Sequence, residues 1–147
     1  MFDNKLRILI LSIWWGAFTF YAGIVVPVGM NVLGSHTQMG FITQEVSKYL
    51  NIVSLILFLF YTYSLRDNEF SENILIEQIV SFSLISFQIL LFIIHYLLTD
   101  LLDFKHHIVL NPDKFYVFHR VYLIFETLIW LAVSWMLIKS FGEYLTN

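Results

Sequence analysis

The sequence predicts an all-α protein: an integral membrane four-helix bundle of up-down-up-down topology, with residues 1–147 forming one domain. Three observations carry that expectation. Of the 147 residues, 59% are hydrophobic and 13% charged, with a mean hydropathy of +0.75, whereas soluble domains carry about a quarter charged residues. Four apolar stretches are each long enough for the roughly 20-residue helix that crosses a hydrocarbon core of about 30 Å. The connections between them are short and hold the Gly, Asn, Asp and Pro expected of turns, which favours antiparallel neighbours. The expected spans are residues 8–29, 38–65, 74–99 and 114–140.

The first span follows a polar start bearing Lys5 and Arg7 and runs uncharged from Ile8 to Val28. That run is too long for a signal-peptide core and lacks a small-x-small cleavage site. Ser12, Gly16, Thr19 and Gly23 recur at helical spacing, a small-residue stripe that would let a neighbouring helix approach closely. Pro27 would clash with the carbonyl of Gly23, four residues back, so a bend is expected there. Trp14 and Trp15 are expected to pack against lipid or the interface.

A polar connection, NVLGSHTQMG, centres on His36, with Thr37 as the expected cap of the second span. Glu45 and Lys48 stand three apart at the start of that helix and can pair on its surface. The acidic turn RDNEFSEN leads to the third span, with Ser71 or Asn73 as cap and Glu77 near the positive helix end. The connection DLLDFKHHIVLNPDK carries His106 and His107 and ends in an Asn111-Pro112-Asp113 helix start. The fourth span then runs to Lys139, and residues 141–147 read as a polar tail.

Few polar side chains interrupt the third and fourth spans. Gln88 and His95 on one, and His119 and Glu126 on the other, are each seven residues apart and so share a helix face. In an antiparallel pair, residues at one depth have a constant summed number. His95 therefore comes level with His119, and Gln88 with Glu126. Glu126 lies about 16 Å into its span, where a bare carboxylate costs about 2.5 kcal/mol or more on insertion scales. It is expected to face inward, to pair, or to carry a proton, with Gln88 as its partner. Arg120 stands six residues from Glu126, and those positions diverge around a helix.

All five histidines (His36, His95, His106, His107 and His119) fall toward one end of this arrangement. Imidazole suits zinc, copper, iron and nickel, and Glu45, Asp100 and Asp103 could supply oxygen ligands. A metal ion or a haem is therefore one expected cofactor. No His-x-x-x-His or His-Glu-x-x-His spacing occurs, however, and interfacial imidazoles are equally explained by their amphipathic character. Helices packed directly have axes about 8–10 Å apart, too close for two facing histidines to grip one haem. Zero cysteines exclude disulfides and thiolate sites. A net charge of −3 with scattered Lys and Arg gives no nucleic-acid surface.

The stretch FTFYAGIVVPVGMNVLGSHTQMGFITQEVSKYLN, with Phe20, Gly23, Phe41 and Tyr49, and the stretch KFYVFHRVYLIFETLIWL around His119 and Arg120 resemble a loose family of small four-span membrane proteins. Its members are mostly uncharacterised and bacterial, with a eukaryotic relative associated with resistance to platinum drugs. That resemblance implies a Phe-x-x-x-His segment opening the last span, here Phe115 and His119. Beyond it the family has small residues and Asn where this chain has Tyr122, Glu126 and Trp130. Four-span protoporphyrinogen oxidases carry a histidine in the first span, and this first span has none.

Two functions fit these residues. One is a membrane protein with an inward-facing His/Gln/Glu site, open at one membrane face, for a metal ion, a haem or a small amphiphile. The other is an accessory subunit without chemistry, meeting other membrane subunits or its own copies through aromatic surfaces. Neither assigns a catalytic residue. Lys5, Arg7, Arg66 and Lys139 at the terminal end equal in number Lys48, Lys105, Lys114 and Arg120 at the other. The early basic residues favour both termini on the cytoplasmic side, in the plasma membrane for a bacterial chain.

Overall fold

The computed structural model describes residues 4–66 and 72–146, and almost all of them are helical. Helix α1 (Asn4–Phe20) passes into a π-helical stretch (Tyr21–Val25) and then α2 (Val26–Leu33); α3 (His36–Ser64) and α4 (Glu72–Asp100) follow. A minimal hairpin of β1 (Leu102–Asp103) and β2 (Ile108–Val109) leads to α5 (Pro112–Thr146). Four helical stretches are long and apolar enough to cross a membrane: Lys5–Leu33, His36–Ser64, Ile74–Asp100 and Pro112–Gly142. The expected cap at Ser71 lies outside the described residues, and the stretch expected to be a polar tail is helical through Thr146.

Each break between helices has a local cause. Val26 N–H donates to the Tyr21 carbonyl five residues back, and Pro27, which has no N–H, stands just beyond this widened turn. Gly34 ends α2 in the left-handed conformation at φ 59°, its N–H returning to the Met30 carbonyl, a conformation that favours glycine. Ser35, rather than the expected Thr37, caps α3 by accepting from Gln38 N at 3.3 Å. Asn111 Oδ1 accepts from Lys114 N at 3.1 Å at the start of α5, with Pro112 in its first turn.

Helix α3 packs on α4, α4 on α5, α5 on α1 and α1 on α3. Leu11, Trp14, Phe58, Leu84, Leu91, Ile129, Val133 and Met136 meet in the core, and the outward faces present large apolar side chains such as Ile79, Phe82, Leu131 and Ile138. Trp14, Trp15 and Trp130 are part of this packing, whereas Trp135 is exposed on the outer surface. Trp14 Nε1 donates to Ser54 Oγ at 2.6 Å, Trp15 Nε1 to Ser134 Oγ at 2.8 Å, and Trp130 Nε1 to Thr19 Oγ1 at 3.0 Å. Trp15 and Trp130 stack at 6.0 Å. An indole seats its apolar body in the core when its N–H finds an acceptor, and small hydroxyl side chains on α1, α3 and α5 supply the acceptors.

The small-residue stripe does not serve close packing. Gly16, Gly23 and Pro27 are exposed, and a Cβ at Gly16 or Gly23 would meet nothing within 4 Å. Ser12 is half-buried, and Thr19 acts as the acceptor for Trp130. The close approach occurs instead at Gly29, where a Cβ would fall 2.5 Å from Met39 Sδ. The bulky Leu11 and Trp14 own the inward face of α1, which turns the stripe outward.

At the terminal end, Arg7 is buried and donates from Nη2 to the Ser64 carbonyl at 2.6 Å. A cation there also meets the negative end of α3. Lys139 Nζ lies 2.8 Å from Glu77 Oε1, joining the end of α5 to the start of α4. Among the described residues Glu45 and Lys48 form no ion pair; both are exposed, and Lys48 lies over the Tyr49 ring instead. Two solvated side chains gain little from pairing.

Candidate functional site

The hairpin after α4 is built by Asp103. Its Oδ1 accepts from Lys105 N (2.9 Å) and His106 N (3.0 Å), and its Oδ2 lies 2.7 Å from His106 Nδ1. These bonds, the His106 side chain first, hold the Asp103 carboxyl below its ordinary value. The sign follows from linkage: the loop's extra stability is present above the ordinary carboxylate range and is lost as pH falls through the lowered value. An NMR titration should find Asp103 titrating below an ordinary Asp, and His106→Ala should move it back up. An unchanged value would remove the bond's significance. His107 sits at φ 55° with its ring 5.3 Å from that of Phe41, which also meets Phe104 at 5.2 Å.

The polar residues of α3 and α4 form two matched pairs. Gln44 Nε2 lies 2.7 Å from His95 Nδ1 and 2.9 Å from Thr99 Oγ1. The His95 carbonyl, an acceptor only, is 3.0 Å from the same nitrogen and fixes the amide's orientation. About two helical turns away, Gln88 Nε2 donates to Asn51 Oδ1 at 2.9 Å, and the Tyr122 hydroxyl donates to the same oxygen at 3.1 Å. Both donors point at one oxygen, so Asn51 Nδ2 is buried without a partner among the described residues.

Gln88 and His95 therefore face α3, not the His119/Glu126 face of α5. The expected pairing of His95 with His119 and of Gln88 with Glu126 is corrected accordingly. Depth matching holds, but with another helix: Gln44 with His95 and Asn51 with Gln88 also have equal summed numbers, and they too stand seven apart. That repeated spacing was the sequence signal for the pairing.

The His119/Glu126 face of α5 turns toward a partly enclosed cavity of about 650 Å³ between the π-helical stretch, α2, α3, the hairpin and α5. His119, Tyr122 and Glu126 line it from α5, Tyr21 from the π-helical stretch, and Gln44 and Ser47 from α3. His119 stacks on Phe115, one turn earlier, at 5.8 Å and 7°. The Glu126 carboxyl lies beside the Tyr122 hydroxyl and within electrostatic reach of Tyr21, which bonds with Ser47. The Tyr21 hydroxyl also reaches the Thr43 carbonyl at 3.5 Å. The π turn contributes Tyr21 and Ala22 to the lining, between Phe18 of α1 and Val26 and Met30 of α2.

The structure thus separates the five histidines. His36 opens α3 at the cavity's edge, His119 lines its wall, His95 is buried on Gln44, and His106 and His107 belong to the hairpin. Arg120 is exposed outside the cavity lining. Among the described residues no three His, Asp or Glu side chains come together in a set that could hold a metal ion. What the residues define is a four-helix chain with membrane-crossing dimensions and a mainly apolar cavity carrying one carboxyl group. No family model, no curated protein and no solved structure matches the chain, and its function is read from its own residues.

Proposed function

We propose that this is a four-span membrane protein, up-down-up-down with both termini on the cytoplasmic side, whose cavity binds a small amphiphile entering from the hairpin end. The cavity carries the reading: about 650 Å³, within the range of small-molecule sites, with apolar walls and a few convergent polar groups. Phe18, Val26, Met30 and Leu98 offer surface to an apolar body, while Tyr21, Ser47, Tyr122 and Glu126 offer hydrogen bonds to a polar head. No chemical step is assigned; binding for transfer or sensing is what these groups support.

The test uses the full chain in lipid nanodiscs and para-butylphenol as probe. Saturable, stoichiometric binding is expected. Ala22→Trp, which places an indole in the void, should weaken it by about tenfold or more, the loss of roughly 1.4 kcal/mol or more. Binding that does not saturate, or that ignores Ala22→Trp, would favour the accessory-subunit reading instead.

A further inference from the structure

Among the described residues lining the cavity, Glu126 is the one carboxyl group; none is Lys, Arg or Asp, and the two imidazoles are His36 and His119, the latter seven residues from Glu126 on α5 and stacked on Phe115. The polar neighbours of Glu126, Tyr21 and Tyr122, are hydroxyls without charge, each in turn bonded with Ser47. The Tyr122 hydroxyl, which reaches both the Glu126 carboxyl and, at 3.1 Å, Asn51 Oδ1, offers a hydrogen bond but no counter-charge. A carboxylate in such a wall is costly unless a counter-charge reaches it. The cavity also has aromatic rings on several sides: Phe18 and Tyr21 from the first span, Phe41 from α3, and Phe115, Tyr116 and Tyr122 from α5. Ring faces attract a cation, and quaternary ammonium groups are recognised by such surrounds.

We propose that the amphiphile is a cation, an organic ammonium whose charge is met by Glu126 and whose substituents lie against the cavity's aromatic rings. This rests on the cavity being a binding site and adds the sign of the ligand. A neutral amphiphile fills the same apolar volume but leaves Glu126 without a counter-charge, and an anion adds repulsion. Electrostatic complementarity therefore selects among molecules that shape alone admits.

The experiment compares para-butylphenyl-trimethylammonium with its uncharged isostere para-butyl-tert-butylbenzene, which replaces nitrogen by carbon at nearly constant shape. Binding is measured by equilibrium dialysis on the full chain in phosphatidylglycerol nanodiscs, with empty nanodiscs subtracted. The cation is expected to bind about tenfold or more tightly than the isostere, a difference of roughly 1.4 kcal/mol. Glu126→Gln should abolish that preference and leave isostere binding intact. Should Glu126→Gln fail to fold, Tyr21→Leu provides the second variant: it removes a ring from another helix and should weaken only the cation. Equal binding of the two probes would overturn the cationic assignment while leaving the cavity reading in place. A cation preference that survives Glu126→Gln and Tyr21→Leu would overturn the assigned groups. No saturable binding of either probe or of para-butylphenol would sink the cavity reading itself. Replacing the lipid by phosphatidylcholine separates sources: competition assigns a lipid headgroup, and undiminished binding a soluble ammonium, both consistent with a cation site.

Discussion

Lys139→Met is expected to destabilise the folded chain by about 3–5 kcal/mol, the cost of leaving one member of a buried ion pair without its partner. Glu77 is only 7% exposed and Lys139 19%, with Nζ and Oε1 2.8 Å apart. Lys139 is the better able to manage alone, because a long lysine stem can extend its charge toward water. Glu77→Gln should therefore cost less than Lys139→Met. The double variant Glu77→Leu/Lys139→Met should recover much of the loss, since apolar replacements of similar volume remove both desolvation costs. Unfolding by SDS titration in mixed micelles would measure this, and a Lys139→Met effect below about 1 kcal/mol would place the pair among exposed, weakly stabilising ones.

Asn51→Leu is expected to cost about 2 kcal/mol in the same measurement. One amide oxygen accepts from Gln88 on α4 and from Tyr122 on α5, so its removal takes this acceptor from a pair of buried donors; Tyr122 keeps the Glu126 carboxyl beside it, and Gln88 is left unsatisfied at about 1–3 kcal/mol. The lower part of that range applies because interhelical hydrogen bonds between membrane helices average only about 0.6 kcal/mol. Gln88→Leu strands no such pair of donors and should cost less. Combined with Asn51→Leu, it should be less than additive, since the two share one bond. Additive losses would mean that the bond between them contributes nothing.

Glu126 connects these energetics to the site. It shares a face of α5 with His119 and Tyr122, and Tyr122 is held by Asn51 against α3. The sequence placed Glu126 and His119 on one face correctly as a matter of helical period. It misplaced what that face meets. Gln88 was the expected partner because its depth matched, but the depth rule applies equally to any antiparallel neighbour. Gln44 and Asn51 satisfy His95 and Gln88 from α3, and across the α4–α5 seam rings such as Phe87 and Phe125 meet, 5.3 Å apart.

The sequence by itself determined the all-helical character, the four apolar lengths, the turns at Gly34 and Asn111, and the interior faces on which polar groups recur. Local propensity, hydropathy and period suffice for these, because each depends on a residue and its near neighbours. The packing of the helices set the azimuth of each: that Trp14 and Leu11, not Gly16 and Gly23, face inward on α1, and that Tyr21 of the π-helical stretch and Glu126 line one cavity. A helix among four has two close neighbours, and period names a face without naming the neighbour. That choice falls to the fit of bulky rings and to which donors find acceptors, quantities shared between segments distant in the chain.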